Sequence, residues 1–139
     1  MSFPHLVIAD LHEPFTHPKY FRFIRKQEKR WKTKQTVFIG DVADNHAISR
    51  FTSETEAESP LDEYKRTKKL VRRWYRAYPN AKVVIGNHDV RPMRRAKDAG
   101  IEHMLRQYNE IWDTPKWDWS TRHEIDGVRY VHGDKTSGV

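Results

Sequence analysis

The stretch Val83-Val84-Ile85-Gly86-Asn87-His88-Asp89 limits the fold more than any other part of the chain. Three branched apolar residues run without interruption into a glycine, and three polar side chains follow at once. Such a run reads as a strand buried on both faces, as in a parallel sheet covered by helices. The glycine permits a sharp turn. The polar groups then sit at the carboxyl end of the strand, the edge where open α/β sheets bind ligands. The pattern recurs. Leu6-Val7-Ile8-Ala9 ends in Asp10-Leu11-His12, Val37-Phe38-Ile39-Gly40 in Asp41-Val42-Ala43-Asp44, and Val128-Arg129-Tyr130-Val131 in His132-Gly133-Asp134. One Asp or His after a strand is ordinarily a helix cap or a turn. Four apolar runs that all deliver carboxylate, imidazole or amide groups predict a shared site. Its groups are those of a mixed nitrogen and oxygen metal centre.

A chain of 139 residues holds one domain with a real core and is too short for two. Only 37% is hydrophobic against 32% charged, so the core must draw on the 12% of aromatic residues. Cysteine is absent, which excludes disulfides and thiolate metal sites and is compatible with a reducing compartment. No apolar run approaches the ~20 residues that span a bilayer, and no basic-then-apolar leader follows Met1. The expectation is a cytoplasmic protein with no membrane segment. The balance of 26 Lys and Arg over 19 Asp and Glu, a net +7, admits a polyanionic partner.

Taken in order, the first strand is expected over His5–Ala9. Asp10 and His12, two apart, would point to the same side of an extended segment. A helix over Pro18–Trp31 carries Tyr20, Ile24 and Trp31 on one face, and a second strand covers Thr36–Ile39. A short helix is expected over Ala47–Phe51, then a polar, mobile loop over Thr52–Ser59. Ser59-Pro60, with Asp62 and Glu63 behind it, has the composition of a helix start. That helix runs to Tyr78 with Tyr64, Thr67, Val71, Trp74 and Tyr78 as its apolar stripe. Lys65, Arg66, Lys68, Lys69, Arg72, Arg73 and Arg76 fall on its solvent face. From Pro92 the pattern is helical again, broken at Gly100, with Met93, Ala96, Ile101, Met104, Tyr108 and Ile111 able to share a face. Trp112–Trp119 reads as irregular, its tryptophans a packed minor core or, less simply, a platform for a base. Thr121–Ile125, Asp126-Gly127 and Val128–His132 read as a hairpin, because Asp-Gly suits a tight primed turn. His5, His17, His103 and His123 read as surface or structural histidines, and Asp89 as a loop anchor.

The ordered set Asp10-x-His12, Gly40-Asp41-x-x-Asp44, Gly86-Asn87-His88-Asp89 and His132-Gly133 resembles the calcineurin-like metallophosphoesterase superfamily, in the compact spacing of its small bacterial and phage-type members. The resemblance implies an α/β fold, an α/β/β/α sandwich with a dinuclear metal site at the strand ends. It implies that Asp10 and His12 bind one metal, that Asp41 bridges both, and that Asn87 and His132 bind the other. His88 would lie beside the substrate and protonate the leaving oxygen, with Asp44 orienting its ring. Asn45, His46 and Arg91 follow the metal motifs and could touch substrate phosphate, although each reads more simply as a solvated loop residue. These residue types suit the chemistry. A bridging carboxylate holds two cations roughly 3.5–4 Å apart, and neutral Asn and His donors leave them strongly electrophilic. Imidazole titrates near ambient pH and can serve as the acid. The implied cofactors are two divalent ions, Mn²⁺ first, with Fe, Zn, Co or Ni also compatible with such ligands. The implied substrate is a phosphomonoester or phosphodiester, including nucleotides or nucleic acid.

The superfamily closes its site with a Gly-His-x-His motif beyond the His132-type residue, and no histidine follows His132 here. Two readings follow: a C-terminally truncated domain, or a site that has lost its last ligands. The intact upstream motifs favour the first, with weak metal binding, little or no activity and an exposed sheet edge as its consequences. A reading of a different class also stands, a non-catalytic nucleic-acid-binding module that uses the basic helices.

Overall fold

The computed structural model describes residues 3–49 and 58–133. Phe51, the loop from Thr52 as far as Ala57, and Asp134 lie outside the described residues. Four short strands, β1 (His5–Ile8), β2 (Gln35–Phe38), β3 (Lys82–Val84) and β4 (Asp118–Ser120), form one sheet in that order. Every pairing is parallel, with Ile8 opposite Phe38, Phe38 opposite Val83 and Val83 opposite Trp119. All four carboxyl ends therefore reach the same edge. The α/β expectation holds, and β3 is an interior strand whose Val83 and Val84 are fully buried.

Helices α1 (Tyr20–Trp31) and α2 (Pro60–Ala77) connect the first three strands. Both pack on one face of the sheet, since Ile24, Val71 and Trp74 share a buried cluster with Leu6, Ile8, Phe38 and Val83. Helix α2 begins as its composition requires: Ser59 Oγ accepts from Asp62 N–H, Pro60 opens the first turn, and Asp62 and Glu63 follow. Its stripe of Thr67, Val71, Trp74 and Tyr78 is buried. Trp74 is the hub. Its ring meets Phe21, Tyr20, Phe38 and Tyr78 at centroid distances of 4.9 to 6.5 Å. Its indole N–H donates to Glu13 Oε1 at 3.3 Å.

Beyond β3 lie α3 (Arg91–Asp98), a 3-10 turn over Glu102–Met104 and α4 (Tyr108–Trp112). The breaks turn Ile101 and Met104 outward, 47% and 70% exposed, so the continuous apolar face expected across Gly100 does not exist. Trp31 is likewise exposed rather than on the buried face of α1, and the Arg30 guanidinium lies over its ring. The segment read as irregular runs into β4 at Asp118. Trp117 is buried against Phe38 at 4.8 Å, and Lys82 pairs with Asp118 across the strands at 2.9 Å. The hairpin β5 (His123–Ile125) and β6 (Val128–Tyr130) forms a separate two-stranded sheet. Asp126 and Gly127 take φ of 52° and 78°, the positive pair a primed turn needs. His5 fixes this hairpin, with one ring nitrogen 2.6 Å from Tyr130 Oη and the other 2.7 Å from Asp126.

The basic face of α2 is partly committed within the chain. Arg72 pairs with Asp113, Arg66 with Glu58, and Arg73 covers the Phe21 ring at 4.5 Å. Among the described residues, no helix is long and apolar enough to cross a membrane.

Trp74→Ala should cost about 3–5 kcal/mol, as deletion of a fully buried aromatic does, and lower Tm by on the order of 10 °C for a domain of this size. Trp74→Phe keeps most of the packing but removes the N–H from Glu13, so thermal denaturation should show a loss of about 1–3 kcal/mol. A phenylalanine variant as stable as the parent would remove Glu13 from this account.

Candidate metal centre

Three strand ends and one hairpin end supply the site. The turn after β1 carries Asp10 and His12, the turn after β2 carries Asp41 and Asp44, the turn after β3 carries Asn87 and His88, and His132 follows β6. The sheet does not hold them in extended form. Asp10, His12, Asp41 and Asn45 all have positive φ, between 44° and 53°. The two-residue alternation that placed Asp10 and His12 on one side therefore does not apply, because left-handed backbone abolishes it. Such residues cost of order 1–3 kcal/mol each and persist where their surroundings over-determine them.

Here the surroundings do. His12 N–H donates to Asp41 O at 2.8 Å, Glu13 N–H to Val42 O at 2.9 Å, and Asp44 N–H to Glu13 O at 2.9 Å. The ladder between the first two strands thus resumes beyond their ends, with a parallel bridge from Glu13 to Ala43. The Asp89 carboxylate, fully buried, accepts from Gly86 N–H and Asp41 N–H at 2.8 Å each and from Ala43 N–H at 3.2 Å. Burial pushes this carboxyl up to about 7, against the N–H groups, which favour its charged form. The anchor role read for Asp89 agrees with this geometry.

Asp41, 4% exposed, is the focus of the cluster. One oxygen accepts His88 N–H at 2.8 Å. The other lies 3.4 Å from His12 Nε2 and 3.2 Å from His132 Nε2, between two imidazoles from opposite ends of the chain. Asn87 Oδ1 is 2.9 Å from the same His132 nitrogen. Two glycines permit this crowding. A Cβ on Gly86 would collide with Asp41 Oδ1, and one on Gly40 with His132 Nδ1.

Two sets of donors fall within 4.8 Å of one another: His12, Asp41 and His88; and Asp10, Asp41 and His132. Asp41 belongs to both sets. Asp10 groups with His132 rather than with His12, and its carboxylate is the most exposed of the cluster. The second contacts of the histidines fit metal ligation. His132 Nδ1 donates to Ile39 O at 2.7 Å, and His12 Nδ1 to Asp44 Oδ1 at 2.6 Å. Each bond orients its ring and turns Nε2 toward Asp41, the nitrogen that a ligating histidine would offer to a metal.

Asp44 therefore makes its short bond with His12, while its carboxylate stands 3.4 Å from His88 Nδ1. The closer partner of that nitrogen is the Asp44 carbonyl at 2.9 Å. Arg91 donates to the same carbonyl at 2.9 Å and to His88 Nε2 at 3.3 Å. Asn45 Nδ2–H donates to His88 O at 2.9 Å. All nine residues singled out in the sequence thus converge on one edge of the fold.

Glu13 was missed. It is 1% exposed, and its Oε2 has no hydrogen-bond partner among the described residues. A glutamate before a proline in a polar loop carries no sequence signal of burial, because its partner Trp74 lies 61 residues away.

No curated protein and no solved structure matches the chain. The family model described as calcineurin-like phosphoesterase matches residues 3–136, from before the first strand to beyond His132. A cluster of His and Asp donors around one shared carboxylate is the arrangement that such chemistry needs, and a match over nearly all its length shows that this chain belongs to the calcineurin-like phosphoesterase family.

Proposed function

We propose that the chain hydrolyses phosphomonoesters or phosphodiesters with two divalent cations, Mn²⁺ foremost and Fe, Zn, Co or Ni as substitutes. The observation that carries this reading is the Asp41 carboxylate, common to both donor sets and flanked by His12 and His132. Asp10, His12, Asp41, Asn87 and His132 are the proposed ligands. Bound there, the cations would supply Lewis acidity, acidifying water and offsetting phosphoryl charge.

The chain's own groups do the rest. Asp44 holds the His12 tautomer, and Ile39 O holds that of His132. In the present arrangement His88 Nδ1 faces the Asp44 carbonyl and Nε2 faces the Arg91 guanidinium. To protonate a leaving oxygen, Nε2 must part from Arg91 and take up a proton from solvent. A substrate phosphate would drive that exchange by drawing the guanidinium to itself, because bidentate Arg–phosphate pairing is stronger than one bond to an imidazole. Asn45 keeps the His88 backbone in place meanwhile. Arg91 and His88 then act in sequence on one substrate.

Turnover of p-nitrophenyl phosphate and its bis-ester should depend on added Mn²⁺, vanish with chelator and return on readdition. Absence of hydrolysis of both esters with all five metals would sink the reading. Asp41→Ala should abolish both metal content and turnover. His88→Ala should lower turnover by roughly 10²–10⁴ as loss of a general acid does, with metal content unchanged. Because His88 also stands within one donor set, metal loss equal to that of Asp41→Ala would instead make it a ligand.

A further inference from the structure

A cavity of about 360 Å³ opens beside the cluster, and two of the proposed ligands, Asn87 and His132, line it. Shared residues therefore fix its place at the site. Asn87 Oδ1 is 2.9 Å from His132 Nε2, and the same nitrogen is 3.2 Å from Asp41. Ile85, Val90 and Val131 give the cavity apolar walls. The exposed Arg94 of α3 lines it as well.

The neighbouring arginines of α3 are committed within the chain. Arg91 donates to Asp44 O and faces His88 Nε2, and Arg95 donates to Ile48 O and Ser49 O. Arg94 makes no hydrogen bond or ion pair with a described residue, and no carboxylate among the described residues lines its cavity. An unpaired arginine on an open helix face is ordinary. One that shares a cavity with two proposed metal ligands has a use there, because its planar fork of N–H donors matches the oxygens of a carboxylate or phosphate. Arg91 and Arg94 are three apart on α3, so their Cβ atoms lie about 5–6 Å from one another on one surface of the helix. Arg91 is the residue assigned to the reacting phosphate. A second anion on the same molecule, a short aliphatic spacer away, would reach Arg94, and the apolar walls suit that spacer.

We propose, resting on the phosphoesterase reading, that Arg94 is a specificity-determining residue that receives a second anionic group of the substrate, a carboxylate or a further phosphate. The reacting phosphate meets Arg91 and the His–Asp cluster. The substrate is then a small phosphoester with two anionic ends, and phosphates of neutral alcohols bind less well. Because Arg94 is exposed, this attraction is screened and weakens as ionic strength rises.

Calorimetric titration in the presence of chelator tests this without turnover. The probes are 3-phosphoglycerate and glycerol 3-phosphate, which differ by a carboxylate in place of a hydroxymethyl group. At low salt 3-phosphoglycerate should bind about tenfold more tightly, as a charge-assisted pair allows, and the margin should shrink in high salt. Arg94→Gln should remove the margin by weakening 3-phosphoglycerate far more than glycerol 3-phosphate, with Tm unchanged, and Arg94→Lys should keep part of it. Glycerol 1,3-bisphosphate, titrated alongside, shows which anion Arg94 prefers, and a margin for either anion supports the assignment. Equal affinities for all three ligands, or a margin that survives Arg94→Gln, would overturn it. A margin lost with Arg94→Gln in a chain that hydrolyses no phosphoester with added Mn²⁺ would overturn the phosphoesterase reading and leave the anion site standing. Mn²⁺-dependent hydrolysis with equal kcat/KM for all three would overturn the role of Arg94 and leave that reading intact.

Discussion

One buried carboxylate fastens the working edge of this molecule. Asp89 gathers the N–H groups of Asp41, Ala43 and Gly86, and so clamps the turn after β2 to the turn after β3. Parallel strands end with unpaired backbone groups, and a buried N–H without an acceptor costs as much as a lost hydrogen bond. Asp89 satisfies three of them at once. The clamp also sets the Asp41 side chain, which turns its own oxygen to His88 N–H and thereby ties the third turn residue into the assembly. The cluster is thus positioned by backbone hydrogen bonds that precede any ligand.

The parts of the fold visible in the sequence are those with a local cause. Ser59-Pro60 marks a helix start because capping and the fixed φ of proline are properties of neighbouring residues. Asp126-Gly127 marks a primed turn for the same reason. The run Val83-Val84 marks an interior strand, since burial on both faces removes alternation. Strand β4 was not legible. Its Asp118 is polar and half exposed, and what makes Asp118–Ser120 a strand is pairing with β3 and the fit of Trp117 against Phe38. Those partners lie some 35 to 80 residues away. Trp31 misled in the opposite sense, because a large apolar residue at helical spacing need not be buried when a cation covers its face.

At the site the residue types were legible, while their pairings were not. Motif spacing indicates that Asp44 belongs near an imidazole. It does not reveal that the shortest bond goes to His12 and that His88 is served by a carbonyl and by Arg91. Those choices follow from left-handed turns, which only the clamp and the resumed ladder enforce. The charge balance shows the same limit. The cations of α2 look like one solvated face, yet several neutralise Asp113 and Glu58 or lie on Phe21.

The left-handed turns carry a consequence for anyone who would engineer this scaffold. Glycine is the cheapest residue at positive φ, so at Asp10, His12, Asp41 and Asn45 it would relieve strain that their own side chains cannot. At Asp41 and Asn45 that gain is offset by the lost bonds to His88 N–H and His88 O. Selection for thermal tolerance alone would therefore drift toward glycine at Asp10 and His12, and would arrive at a sturdier protein with fewer donors at its edge. The directions of improving stamina and retaining chemistry diverge here, and a library that seeks both should hold these codons fixed and vary the α3–β4 connection instead.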